Sequence, residues 1–220
     1  MTRTSLDELV ELDLDGIREA HIHIISGAVA ATAGPPPGQV RVRFDPDAPV
    51  DVTFEDGVLE VRREPPRSFL FLREDVVVEL TAPEDVLVRI GVVSASAAVR
   101  GFADRVDVQT VSGRVTLDDL GGPVRVKTVS GDIEARALRD TVSVNTVSGD
   151  FTLVDGSCSE VDAKTVSGDV ILDLRIDPEG SYAVKTLSGD VALRVDADEP
   201  LVQVRTMSGK VSTVRTTSDQ

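Results

Sequence analysis

The chain has 220 residues, 41% of them hydrophobic and 28% charged, so it is long enough to bury a core of its own. Its net charge of −15 disfavours DNA, RNA and anionic lipid surfaces as partners, because an acidic protein is repelled by all three. Aromatic residues make up only 3% of the chain, so we expect a core of Val, Leu, Ile and Ala.

The first ninety residues predict a series of short strands. Residues 9–16 alternate between apolar and polar, and residues 21–29 do the same around a Ser26-Gly27 turn. Further strands are predicted over residues 40–44, 50–54, 58–62, 69–72, 76–80 and 86–90, with a hairpin turn at Asp56-Gly57. We interpret residues 1–90 as an N-terminal β-sandwich-like cap that contains antiparallel pairs and one degenerate copy of the repeat described next.

A hexapeptide of the form Thr-Val-Ser-Gly-Asp-Val recurs through residues 91–215. Successive glycines of this motif lie 18, 18, 19, 21 and 20 residues apart. They are Gly113, Gly131, Gly149, Gly168, Gly189 and Gly209. Apolar residues alternate with polar ones before each Thr and after each Gly, which predicts a strand, a tight turn and a second strand in every unit. We expect these glycines to adopt φ > 0 or to lie where a Cβ has no room.

A repeat of this length predicts an all-β fold, a parallel β-solenoid (β-helix) of ~18–21-residue coils. Right-handed coiling is expected from the handedness of parallel crossovers. The alternative is an antiparallel sandwich, but a sandwich does not require neighbouring strands to share a hexapeptide. Residues 216–220 are interpreted as a polar tail.

Two columns of charge are predicted along the solenoid. The residue after the Gly is an aspartate in four successive coils, Asp132, Asp150, Asp169 and Asp190. Stacked carboxylates repel one another and call for compensation, so they are either a cation-binding ladder or turn residues that bind nearby backbone amides. We favour the turn interpretation, because one Asp per coil supplies too few oxygens for Ca²⁺. The residue before the Thr is mostly basic, which either balances charge or forms a groove for an acidic partner.

No catalytic, cofactor-binding or metal site is predicted. His21 and His23 share one face of a strand, but two imidazoles make only half of a metal site. Cys158 has no His near it in sequence, so we expect no nucleophilic role. Phosphate loops and dinucleotide-binding fingerprints are absent from the sequence. We therefore expect a protein that is not an enzyme and uses no cofactor.

The last copy of the hexapeptide differs from the others. It carries Met207 and Lys210 in place of the usual Val and Asp, and Thr213 replaces the usual Leu. Open strand edges at the end of a solenoid have to be covered, made polar or paired with another chain. We therefore predict a homo-oligomer through the solenoid end, with Met207, Val211 and Thr213 as interface residues.

The hexapeptide and its flanking Val-x-Val-x-Thr pattern resemble a bacterial β-strand-repeat family known as "putative adhesin", domain of unknown function 4097. The likeness extends from residues 24–29 to Val211 and includes residues 76–83. It implies a repeated β fold but no activity, because no catalytic residues are defined for that family. The coil size is also similar to that of bactofilins, which are cytoplasmic β-helices that polymerise end to end.

Two functions remain open at this point. The first is a non-enzymatic scaffold that self-associates or binds an unknown protein partner. The second is the surface adhesin or ligand-binding module that the family name implies. The sequence shows no signal peptide and no apolar run of membrane-spanning length, so we expect a cytoplasmic protein that does not insert into membranes.

Overall fold

All elements described by the structure, a computed structural model, are β-strands. The description covers residues 8–45, 50–63, 75–196 and 202–215, and the strand predicted over residues 69–72 lies outside it. The first seven strands are β1 (Glu8–Leu14), β2 (Glu19–Ala33), β3 (Gly38–Phe44), β4 (Val50–Glu55), β5 (Val58–Arg63), β6 (Val76–Ala82) and β7 (Leu87–Arg100).

Twelve shorter strands follow, two for each copy of the hexapeptide. They are β8 (Val106–Ser112), β9 (Val115–Asp118), β10 (Val124–Lys127), β11 (Ile133–Arg136), β12 (Thr141–Asn145), β13 (Phe151–Gly156), β14 (Glu160–Thr165), β15 (Val170–Arg175), β16 (Ser181–Thr186), β17 (Val191–Asp196), β18 (Val202–Thr206) and β19 (Val211–Arg215). Each coil consists of an even-numbered strand of this series, the Ser-Gly turn after it and the next odd-numbered strand, for example β8 and β9.

The coils stack in parallel, which confirms the predicted β-solenoid. Strands that precede the turn form a first column, β8–β10–β12–β14–β16–β18, and strands that follow it form a second, β9–β11–β13–β15–β17–β19. Equivalent residues lie side by side, as Val124 does with Val106 and Val142. Every inward position of the motif therefore becomes a line of similar side chains along the solenoid axis.

Strands β2 and β7 are long because each one runs through both columns. The first half of β2 pairs with β5 and β7, and its second half pairs with β6 and β7, all in parallel. Strand β7 pairs in turn with β8 and β9. The degenerate copy predicted at residues 21–29 is thus a genuine coil. It lies between the coil made by β5 and β6 and the coil made by β7, although it precedes both in sequence.

Antiparallel strands close the N-terminal end of the stack. In the second column β3 pairs antiparallel with β6, and β1 pairs antiparallel with β3. In the first column β4 pairs antiparallel with β5, through the turn at Asp56 and Gly57. The antiparallel pairs predicted for the cap lie here, and the boundary drawn at residue 90 falls within β7.

The core is a narrow slab between the two columns. Val142, Val144 and Leu153 are among the side chains that are almost fully buried. The loops between coils add their own buried residues, for instance Leu120, Leu138 and Cys158. Burial of each Val or Leu contributes roughly 1.5–3 kcal/mol, so the stacked coils stabilise one another where a single coil could not.

Candidate interaction surface

The Ser-Gly turns form one long edge of the solenoid, and close stacking of backbone explains their glycines. A Cβ built on Gly149 would lie 2.1 Å from the carbonyl oxygen of Gly131, and the other five motif glycines meet a backbone oxygen of the preceding coil at 2.0 to 2.2 Å. Of these six only Gly113 has positive φ, at 142°. Lack of space therefore explains the other five, and left-handed backbone does not.

The threonine of the motif supports the turn from inside in two of the coils. Thr128 and Thr146 are buried, and their Oγ1 atoms accept hydrogen bonds from the N–H groups of Gly131 at 2.9 Å and Gly149 at 3.1 Å. In the described structure the Oγ1 atoms of the other four motif threonines are buried without a hydrogen-bond partner; these are Thr110, Thr165, Thr186 and Thr206. In the coils of β2 and β7, Ile24 and Val92 occupy the Thr position, and these strands pass through the bend without a break.

The four aspartates form a ladder that binds backbone. Oδ1 of Asp150 accepts the N–H of Asp169 at 2.9 Å, and Oδ1 of Asp169 accepts the N–H of Asp190 at 2.8 Å. The same contact joins Asp132 to Asp150 at 3.2 Å and Asp190 to Lys210 at 2.8 Å. The expected compensation for stacked carboxylates therefore comes from amide groups of the next coil. Within the described residues these carboxylates make no ion pair, and no cluster of three metal-ligating side chains occurs.

An apolar ridge runs along the same edge. The residue between Thr and Ser points outward in each coil, and its side chain is 44 to 83% exposed in seven successive coils. The ridge consists of Val93, Val111, Val129, Val147, Val166, Leu187 and Met207. Its backbone is fixed from coil to coil, since Ser148 N–H donates to the carbonyl of Val129 at 2.8 Å and Ser167 N–H to that of Val147 at 2.8 Å.

A row of mostly basic residues runs parallel to the ridge. It lies on the outward face of the strands that precede the turn. Its members in the regular coils are Gln109, Lys127, Asn145, Lys164, Lys185 and Arg205. Lys164 pairs with Asp162 two residues earlier in β14. Within the described part of the chain Lys127 and Lys185 have no ion-pair partner, so their charges face solvent. The ridge thus has cations on one flank and the aspartate ladder on the other.

A groove of about 450 Å³ lies beside the N-terminal end of the ridge. His23 lines it and covers Gly91 of the neighbouring strand, where a Cβ would lie 2.5 Å from Nδ1 of the imidazole. Burial lowers the pKa of His23, and the charges of Arg62 and His21 lower it further. His21 instead contacts Glu19 at 3.1 Å and Arg89 at 3.1 Å, so the two histidines do not share a ligand-binding geometry.

Cys158 and Tyr182 secure two inter-coil loops in the interior. Burial, assisted by the charge of Asp140, raises the pKa of the Cys158 thiol to about 12, which leaves it protonated and unreactive. The Tyr182 hydroxyl donates to the carbonyl of Cys158 at 2.7 Å and accepts from the N–H of Asp177 at 2.9 Å. The sequence predicted only an inward apolar position at Tyr182, and its polar role was missed.

The predicted interface residues lie in the final described coil. Met207 is 83% exposed, Val211 is 48% exposed, and Thr213 is exposed as well. Strands β18 and β19 pair with β16 and β17, and within the described residues they have no neighbour on the other side. In the same described part of the chain there is no helix long and apolar enough to cross a membrane.

These features define a β-solenoid with glycine-stacked turns along one edge. The chain belongs to the family described as Toastrack DUF4097, whose model matches residues 68–220. This confirms the family resemblance that the hexapeptide predicted. A comparison with curated proteins found no significant match.

Solved bacterial structures share the fold at low sequence identity. A "putative lipid binding protein" from Parabacteroides distasonis has a TM-score of 0.60 at 15% identity, over 94% of this chain and 96% of that one. A "putative adhesin" from Parabacteroides merdae has a TM-score of 0.55 at 11% identity, over 94% and 95%. Another "putative adhesin" from P. distasonis has a TM-score of 0.52 at 17% identity, over 94% and 96%. At these identities the likeness shows the fold alone.

Proposed function

We propose that this chain is a non-catalytic scaffold module that joins copies of itself through its final coil. The observation that carries the proposal is the final coil of the stack. Its two strands, β18 and β19, each have a free edge in the described structure, and both edges lie at the same end of the two columns. At the other end the outermost described strands, β1 and β4, also have one neighbour each, but they run antiparallel to the strands that they cover. Free edges of this kind readily pair with strands of another chain.

A two-fold axis perpendicular to the solenoid axis satisfies both free edges at once. It places β18 antiparallel to β18 of the second copy and β19 antiparallel to its counterpart, so the contact is self-complementary. The N-terminal end already uses antiparallel strands to terminate the same two columns. Val211 and Val214, which are 48% and 56% exposed, would lose exposed apolar surface in this contact.

Sedimentation velocity over a concentration series tests the proposal. The unmodified protein should associate as its concentration rises, and the double variant Val211→Lys/Val214→Lys should lose the end-to-end contact and form smaller assemblies with unchanged circular dichroism. The matched control is Ile171→Lys, because Ile171 is 47% exposed but lies on the outward face of β15 in the middle of the stack. A monomer of the unmodified protein at every concentration, or assemblies of the same size in the terminal variant, would refute self-assembly through this end.

A surface adhesin or ligand-binding module is the second candidate. The names of the similar solved structures favour it, since two are called adhesins and one a lipid-binding protein. The groove beside His23 is one place on this chain where a small ligand would fit. Ligand-dependent changes in the melting temperature, lost in a Gly91→Phe variant that fills the groove, would support this second candidate.

A further inference from the structure

The apolar ridge is unusual because its exposed side chains are contiguous. Single exposed aliphatic residues are common on protein surfaces, whereas continuous exposed strips mark interaction sites. Here seven exposed aliphatic side chains follow one another from Val93 to Met207, one in each coil. Neighbouring strands in a sheet lie ~4.8 Å apart, so a partner with the same period can meet every side chain of the ridge in the same way.

The charges on the two flanks belong to the same coils. The coil of Lys127 carries Asp132, that of Lys164 carries Asp169, and that of Lys185 carries Asp190. Lys127 and Lys185 have no ion-pair partner in the described structure, and neither have the four aspartates of the ladder. The edge therefore presents a cationic column, an apolar ridge and an anionic column in that order.

We propose that the ridge is a lateral interface between two copies of this chain, which lie side by side with their solenoid axes parallel and their coils in register. A two-fold axis parallel to the solenoid axis sets ridge against ridge and exchanges the flanks. The lysine column of each copy then faces the aspartate ladder of the other. A perpendicular two-fold axis would set lysine against lysine and aspartate against aspartate, which is repulsive.

This interface uses mainly the central coils, and Met207 is the one ridge residue in the final coil invoked for end-to-end assembly. A second copy is the partner that we assign to the ridge. It has the same period in every coil and the same apolar strip, and it sets a lysine against an aspartate in the coils of Lys127, Lys164 and Lys185. The coils of Gln109 and Asn145 supply no lysine, and Arg205 meets Lys210 in the final coil. The aspartates can take part without losing their present role, because a carboxylate accepts several hydrogen bonds and each has one to backbone.

Cysteine cross-linking distinguishes the orientations. In a parallel, in-register pair each ridge residue faces itself, so Val129→Cys and Val166→Cys should each form a disulfide-linked dimer under mild oxidation. In an antiparallel pair that overlaps along the whole ridge Val129 faces Val166, so a mixture of the two variants would cross-link while each variant alone would not. The buried Cys158 stays in place, and Ile171→Cys, equally exposed but off the ridge, is the control for random collision.

The charge pattern is tested in the same assay. Lys127→Asp/Lys185→Asp should reduce cross-linking of Val129→Cys at least tenfold, and Val211→Lys/Val214→Lys should leave it unchanged. Retention of cross-linking in the terminal variant separates this interface from the end-to-end contact. Cross-linking no faster than that of Ile171→Cys, cross-linking only in the mixture, or insensitivity to the lysine changes would overturn the proposal.

Discussion

Gly149 is the position where one added methyl group should be most damaging. An alanine Cβ there would lie 2.1 Å from the carbonyl oxygen and 2.7 Å from the carbonyl carbon of Gly131, and both atoms belong to backbone that cannot rotate away. Relief requires the two coils to separate by about 1 Å, since unstrained carbon–oxygen contacts exceed 3 Å.

Separation of the coils would strain hydrogen bonds on both sides of the turn. Ser148 N–H donates to the carbonyl of Val129 at 2.8 Å, and Asp150 N–H donates to Asp132 Oδ1 at 3.2 Å. Overpacking costs about 1–3 kcal/mol, and a weakened hydrogen bond adds about 0.5–1.5 kcal/mol. We therefore expect Gly149→Ala to lower the free energy of unfolding by about 2–4 kcal/mol. In a protein of this size that loss lowers the melting temperature by about 5–15 °C.

Two other glycines supply the controls. Gly121→Ala meets nothing closer than 3.4 Å and should change the melting temperature little. Gly209→Ala meets the oxygen of Gly189 at 2.0 Å, but in the described structure no further coil holds it from the other side, so it should cost less than Gly149→Ala. Thermal unfolding followed by circular dichroism measures all three. Equal melting temperatures for Gly149→Ala and Gly121→Ala would refute the close stacking of the turns.

Three further predictions concern the aspartate ladder, an inter-coil loop and the groove. Asp169→Ala should lower the free energy of unfolding by about 1 kcal/mol, because it removes the acceptor for Asp190 N–H. Asp169→Asn should cost less, since its amide oxygen still accepts the hydrogen bond. Equal losses for the two variants in urea unfolding would contradict this prediction. Ala137 has a left-handed backbone with φ 52°, so Ala137→Gly should stabilise the protein by up to about 1 kcal/mol. The control is Ala135→Gly in β11, which should destabilise it. A loss of stability in Ala137→Gly would contradict the assignment of strain. The pKa of His23 is lowered in the folded state, so the unfolded state binds the proton more readily. The free energy of unfolding should therefore fall as the pH drops below about 6.5, and it should level off below the folded pKa, where both states are protonated. His23→Gln should flatten this part of the profile, and an unchanged profile would exclude His23 as its source.

The repeat was predictable because stacking places identical residues side by side. Val, Thr and Gly recur at fixed positions of the motif, and the register pairs them one to one, as Thr165 with Thr186. The degenerate coil at residues 21–29 was predictable for the same reason, because Ile22 and Ile24 preserve the inward alternation. Its place in the stack was not predictable, since chain order does not reveal that β2 inserts between the coil of β5 and β6 and the coil of β7.

The local chemistry of the edge was predicted less completely. Repulsion within the aspartate ladder was expected from charge alone, but the relief depends on how far each carboxylate reaches along the axis. The position of the carboxylate along the axis places Oδ1 of Asp169 2.8 Å from the amide nitrogen of Asp190. This distance depends on the three-dimensional structure and cannot be read from the sequence. An alanine does not predict a left-handed backbone, so the conformation of Ala137 could not be read from its own residue type. The equivalent residues of the neighbouring coils, Asp119 and Asp155, also have positive φ, and aspartate is a residue type that tolerates it.

The ridge could have been recognised from the sequence by the alternation rule itself. If the Thr of the motif points inward, the next residue must point outward, yet that residue is Val, Leu or Met in all six regular copies. A solvated position of a strand has no need of an aliphatic side chain in every coil, and polar residues occupy the outward positions on either side. Aliphatic side chains recur at this one outward position, between a lysine column and an aspartate column. An isolated monomer leaves this pattern unexplained, whereas a parallel pair of solenoids accounts for it.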